Sequence, residues 1–157
     1  MRSCFRLTRD RGSALVELTV ALPVLLIVLF GAADFGRAFF HSVSLNMAAR
    51  SGAERGSTSI TITAAQMQAA AVAASPSLAL TTADVTVAEQ RCECARDDGT
   101  SLPTPTAAAC ASTCAAGSHK VYYAVLTVSK PFNLITRILP GVPSTIPLQR
   151  TAWQRIQ

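Results

Sequence analysis

The 157-residue sequence is poor in aromatic and charged residues, which make up only 6% and 15% of it. Half of its residues are hydrophobic, and this argues against an intrinsically disordered chain. The length corresponds to one domain and excludes a multidomain enzyme. Because large aromatic side chains are scarce while the mean hydropathy is positive, we expect the hydrophobic residues to be concentrated in one segment.

The sequence also lacks the patterns of a catalytic or metal-binding protein. Neither of its two histidines, His41 and His119, has a Ser, Cys or carboxylate at a spacing typical of catalysis. It has no glycine-rich phosphate loop and no metal signature. Although the pI is near 9.3, no basic stripe with interleaved aromatic residues occurs outside residues 1–12. We therefore predict a protein that is not an enzyme, needs no cofactor or metal and binds no nucleic acid.

A long uncharged run dominates the N-terminal part of the chain. Residues 18–33, LTVALPVLLIVLFGAA, carry no charge, and the run extends back to Ser13 with Glu17 as its only charged residue. About 20 mainly apolar residues are enough for a helix to cross the bilayer core. Residues 1–12 contain four arginines and one aspartate, and such an excess keeps that end cytoplasmic. The sequence predicts one transmembrane helix followed by an extracytoplasmic region.

A removable secretory signal peptide is the main alternative to a retained helix, because small residues at 31–33 offer a cleavage point. However, the run is longer than the usual stretch of about 7 to 15 residues, and an ionised Glu17 inside it costs about 2.5 to 3.5 kcal/mol. An apolar stripe also continues the helical period beyond the run, at Phe35, Phe39, Val43 and Met47. We expect the helix to be retained and to extend to about residue 56.

Several short motifs accompany this helix. Glu17 is the fifth residue after Gly12, within RGSALVEL at 11–18, and LP at 22–23, DFGR at 34–37 and ARSGA at 49–53 follow. In this order they resemble the type IV prepilin signal and, more narrowly, the TadE-like family, the minor pilins or pseudopilins of the tight-adherence pilus system. The positions that carry the resemblance are Gly12, Ser13, Glu17, Pro23, Asp34, Gly36, Arg37, Arg50 and Gly52. Family members commonly have Glu where this chain has Asp34.

The resemblance implies a function in pilus assembly at the bacterial inner membrane. A prepilin peptidase would cut between Gly12 and Ser13 and leave the hydrophobic helix in the lipid bilayer. The carboxylate of Glu17 would then pair with the new N-terminus of a neighbouring pilin subunit, although pairing with the Ser13 amine of its own chain is equally open, because one helical turn separates them. The alternative function is an uncleaved single-pass anchor with an extracytoplasmic binding domain.

The remainder of the chain predicts a small α+β domain. Strong helix formers occupy 64–74 behind a possible cap at Thr63. Strand patterns occupy residues 84–94, 121–129 and 146–156. Pro131 should stop the second of these strands. We predict a pilin-like plan in which a small antiparallel sheet packs on the apolar stripe of the helix, with the strand order open. The chain would divide into a leader (1–12), a helix (13–56) and an extracytoplasmic domain with a disulfide loop (57–157).

The odd number of cysteines is explained by the leader, because one of the five, Cys4, would leave with it. The other four are Cys92, Cys94, Cys110 and Cys114, all on the side predicted to be oxidising. Pairing of Cys92 with Cys94 is disfavoured, since side chains two apart on a strand lie about 6.5 to 7 Å apart. Two connectivities remain. A zinc site formed by these four cysteines is the weaker alternative, because C-x-C with C-x3-C departs from the usual C-x2-C pairs.

Overall fold

The structure, a computed structural model, describes residues 10–99, 105–138, 141 and 143–156. Residues 1–9, which include Cys4, lie outside the described residues. The helices are α1 (Asp10–Ser57) and α2 (Ala64–Ala73), and the strands are β1 (Val85–Arg96), β2 (Ser118–Asn133) and β3 (Thr145–Arg155). The predicted α+β class, with a long N-terminal helix and a small antiparallel sheet, is confirmed.

Helix α1 runs for 48 residues without interruption at Pro23, so it is about 70 Å long at 1.5 Å per residue. It contains, within the part of the chain that the structure describes, one stretch long and apolar enough to cross a membrane. The large apolar side chains between residues 15 and 30 are all exposed in the isolated chain. Helix α1 is therefore compatible with a single-pass membrane anchor.

Helix α2 begins at the predicted cap. The Thr63 side chain accepts a hydrogen bond from the Gln66 backbone N–H, and the Gln66 side chain accepts one from the Thr63 N–H. This reciprocal pair satisfies two backbone donors that the first turn of a helix otherwise leaves free. The cap sets where the chain turns back after α1, so that α2 lies against the outer half of α1.

The three strands form an antiparallel sheet in the order β1-β2-β3, with β2 in the centre. Strand β2 continues through Pro131 to Asn133, so the prediction that Pro131 stops it was wrong. Because β1 begins opposite Val128, β3 is the one strand among the described residues that lies beside β2 from there on. A proline can remain in a strand at such an edge, where its missing N–H removes no bond to a second neighbour.

The core forms where small residues of α1 meet the sheet and α2. Leu45, Ala48, Ala49 and Ala53 of α1 are fully or almost fully buried against Met67 and Ala71 of α2 and against Ala124, Leu126 and Val128 of β2. Gly52 and Gly56 lie on the same face of α1. Their missing side chains let the backbones approach closely, so the sheet and α2 pack on a small-residue face.

The apolar stripe predicted from the sequence has the opposite orientation. We call Phe35, Phe39, Phe40, Val43 and Met47 the outer apolar face, and all five are exposed, Phe35 by 75%. The expectation that the sheet packs on this stripe was therefore wrong. The reason is steric, because alanine and glycine allow a helix and a sheet to approach more closely than phenylalanine does.

Candidate assembly surfaces on the N-terminal helix

The predicted cleavage site lies at the start of α1. Gly12 and Ser13 both fall within the first turn of this helix. Glu17 follows one turn later and is exposed. It shares a shallow apolar groove along the helix with Val20, Val24 and other aliphatic residues up to Val28. Among the side chains that the structure describes, none forms an ion pair with Glu17.

Asp34 is the first charged residue after the uncharged run, and it is only 3% exposed. Its Oδ1 accepts a hydrogen bond from the backbone N–H of Ile135 at 2.9 Å. Its Oδ2 accepts two more at 2.8 Å, from the backbone N–H and the hydroxyl of Thr136. These residues open a 3-10 turn (Ile135–Ile138), here called the Ile135 turn, between β2 and β3. The Asp34 carboxylate on α1 thus binds the segment between β2 and β3, which lies about 100 residues further along the chain.

The charge of Asp34 is well stabilised in this position. Burial raises its pKa, but the hydrogen bonds from Ile135 and Thr136 and the positive charge of Arg37 outweigh burial. The pKa of Asp34 therefore lies below its usual range, and the carboxylate stays ionised at neutral pH.

Arg37 reinforces the same attachment one turn further along α1. It donates a hydrogen bond to Asp34 Oδ1 at 3.3 Å, and its guanidinium lies 5.2 Å from the centre of the Phe132 ring. Phe132 is almost completely buried and also packs edge-on against His41. Burial and the charges of Arg37 and Lys130 lower the pKa of His41. The DFGR motif therefore joins α1 to the end of β2.

The remaining motif residues divide between the two faces of α1. At Gly52 a Cβ atom would lie 2.9 Å from the Met67 carbonyl oxygen and 2.5 Å from a methyl carbon of Leu126, so this glycine is required for close packing. A Cβ atom at Gly36 would meet nothing within 4 Å. Arg50 is exposed and lines a polar groove beside β3. Asp34, Arg37 and Gly52 thus hold the sheet and α2, whereas Gly36 and Arg50 are exposed.

The four cysteines of residues 57–157, here called the C-terminal domain, form two disulfides. Cys92 pairs with Cys110 and Cys94 with Cys114, with Cα–Cα distances of 4.9 and 5.5 Å. This pairing is one of the two that the sequence left open. It places the segment after β1 along the edge of β1 that does not face β2. There Cys92 and Thr106 exchange two backbone hydrogen bonds of 3.0 Å, so the disulfide loop covers an edge that would otherwise be unpaired.

Sequence reasoning missed two features of this region. It treated Asp34 only as a motif residue and did not find its partners in the Ile135 turn, and it assigned the outer apolar face to the sheet. The spacing of small residues at 48, 49, 52, 53 and 56 was the available signal for the packed face.

A comparison with known families agrees with these motifs. The model of the family described as TadE-like protein matches residues 12–54, about a quarter of the chain. The matched segment begins at the predicted cleavage site and ends just after Gly52, so it covers most of α1 and none of the sheet. This confirms the resemblance over that segment. No curated protein matches the chain, and no solved structure does.

Proposed function

We propose that this protein is a minor pilin or pseudopilin. A prepilin peptidase would cut it between Gly12 and Ser13, and it would then take part in assembly of a tight-adherence, type IV-like pilus. The observation that carries the proposal is the family match from residue 12 to residue 54. It coincides with a helix that has one face attached to its own domain and large apolar side chains exposed on the opposite face.

The outer apolar face supports assembly through helix packing. Its five large side chains extend along α1 for about 18 Å beyond the uncharged run and face away from the sheet. A contiguous apolar surface of this kind on an extracytoplasmic helix is unfavourable in water and typical of an interaction site. Helices of other pilin subunits would bury it, and the small domain on the other face would not obstruct them.

Glu17 would determine the register of that packing. Cleavage after Gly12 creates an amino group on Ser13 at the cytoplasmic edge of the bilayer, where an unpaired amine and an unpaired carboxylate are both unfavourable. Pairing Glu17 with the N-terminus of a neighbouring subunit would satisfy both groups. The exposed position of Glu17 on α1 is compatible with this pairing.

The proposed role is structural, without catalysis or a cofactor. Its partners would be the prepilin peptidase, other pilin or pseudopilin subunits, the pilus assembly machinery and the lipid of the bacterial inner membrane. The N-terminus would be cytoplasmic and the sheet extracytoplasmic.

The mature N-terminus tests cleavage directly. We expect intact mass measurement and N-terminal sequencing of protein from the native membrane to show Ser13 as the first residue. Gly12→Val should leave the full-length form in the membrane, because a β-branched side chain replaces the glycine at the cut. As a control, Gly31→Val changes a glycine of the same helix away from the site and should be cut normally. A retained leader in the parent would support the uncleaved anchor instead.

Assembly tests the role of Glu17 separately. We expect Glu17→Val to be cut after Gly12 and inserted normally but to reduce incorporation into, or initiation of, fibres at least tenfold in electron microscopy counts. Glu17→Asp keeps the charge and should retain part of the function. Normal fibre numbers with Glu17→Val would contradict the pairing argument while leaving cleavage at Gly12 unaffected.

A further inference from the structure

The position of Asp34 relative to the bilayer follows from helix geometry. Residues 13–33 would span about 31 Å at 1.5 Å per residue, and the hydrocarbon core of a bilayer is about 30 Å thick. If α1 crosses the membrane as proposed above, Asp34 therefore lies at the outer boundary of the hydrocarbon core. The stretch from 13 to 33 allows little vertical adjustment, since the nearest charged residues beyond its two ends are Arg11 and Asp34.

The Ile135 turn must lie at the same height as Asp34. Three hydrogen bonds of 2.8 to 2.9 Å join the Asp34 carboxylate to Ile135 and Thr136. While Asp34 stays in place, these bonds keep the Ile135 turn from moving outward along α1 by as much as the helical pitch. The connection between β2 and β3 is thus held beside α1 where this helix leaves the bilayer.

The side chains at this height match a membrane interface. The Ile135 side chain is 44% exposed although its backbone is held in place by a buried carboxylate. Phe35, beside Asp34 on α1, is 75% exposed, and the Arg37 side chain is about half exposed. Apolar side chains next to a cation are the combination that binds at the boundary between acyl chains and phosphate headgroups.

We propose that the Ile135 turn rests on the outer leaflet of the bilayer, with the Ile135 side chain inserted at the boundary between headgroups and acyl chains. The proposal rests on the membrane insertion of α1 in the proposed function. The carboxylate of Asp34 then holds both the end of the span and this contact, so the sheet has a defined height and orientation on the membrane before assembly.

Tryptophan quenching by brominated lipids tests this contact. The sequence has one tryptophan, Trp153, so full-length protein with Trp153→Phe is a silent background for single probes. In phosphatidylcholine vesicles with bromine near the top of the acyl chains, we expect Ile135→Trp to be quenched by at least half. The matched control is Ile60→Trp, which replaces another exposed isoleucine beyond the far end of α1 and should be quenched by less than a tenth.

A third probe separates the contact from the span. Val28→Trp reports on the helix itself and should be strongly quenched by bromine deeper in the acyl chains. Quenching at 28 without quenching at 135 would overturn the proposed contact and leave the anchor intact. An absence of quenching at 28 would overturn both. Emission at 135 that depends on protein density but not on bromine would indicate contact with a second copy and would also overturn the proposal.

The role of Asp34 has its own readout in the same assay. Adding Asp34→Ala to Ile135→Trp should reduce the quenching at least twofold, because the turn loses its attachment, while quenching at Val28→Trp should not change. Asp34→Glu keeps the charge and should restore most of the quenching at 135. This separates loss of the attachment from a general loss of folding. Full quenching at 135 with Asp34→Ala would overturn the assignment of Asp34 as the group that holds the turn.

Discussion

Replacing Cys92 and Cys110 together with alanine should destabilise the C-terminal domain by about 2 to 4 kcal/mol. The disulfide joins residues 18 apart, and a loop of this length restricts the unfolded chain by about 3 kcal/mol. Cys92 is also completely buried, so its loss removes packing from the sheet. Urea titration of the full chain in detergent, followed by the fluorescence of Trp153 on β3, measures the change.

The second disulfide provides an internal comparison. Cys94 and Cys114 are 20 residues apart, so their loop-closure contribution is nearly the same, but both are only partly buried. Replacing this pair with alanine should therefore destabilise the domain less than replacing Cys92 and Cys110. Cys4→Ala changes the leader and should leave the titration unaltered. If both double variants were as stable as the parent, the disulfides would contribute nothing to this fold.

Gly52→Ala should destabilise the protein by about 1 to 3 kcal/mol, the usual effect of overpacking a core. The added methyl group would lie 2.9 Å from the carbonyl oxygen of Met67, which belongs to the backbone of α2. A methionine or leucine side chain could move aside, but a helical backbone moves only with the whole helix. We expect α2 to be displaced from α1, and the same urea titration would detect the loss.

Gly36→Ala is the matched control, because it makes the same change in the same helix where a Cβ atom meets nothing within 4 Å. Alanine is the better helix former by about 1 kcal/mol, so this variant should be as stable as the parent or slightly more stable. Equal effects of the two substitutions would show that α2 is not held close to α1 by Gly52.

Local patterns predicted most elements of this fold. The second helix, predicted at 64–74, is Ala64–Ala73, and its cap at Thr63 is confirmed. The strand predicted at 146–156 is Thr145–Arg155. The strand predicted at 121–129 extends further, to Ser118–Asn133, because Pro131 lies beyond the start of β1 and interrupts no bond to it. These elements were accessible because propensity and capping depend on residues close together in the sequence.

The candidate site was accessible only in part. The resemblance pointed to Asp34, Arg37 and Gly52, but the sequence offered no reason for their places in the motif. Asp34 accepts hydrogen bonds from residues about 100 positions away, and Gly52 makes room for a different helix. Neither partner is adjacent in the chain, so no local pattern could identify it.

The sequence by itself determined the apolar span, the extent of the long helix, the helix and strands that follow it and the four cysteines in residues 57–157. Each of these depends on composition or on periodicity within one segment. Only the tertiary structure decided which face of α1 carries the sheet, how the four cysteines pair and what Asp34 holds. Those outcomes depend on steric fit and hydrogen bonding between distant segments. The small-residue face therefore became the core, and Phe35, Phe39 and Phe40 remained exposed.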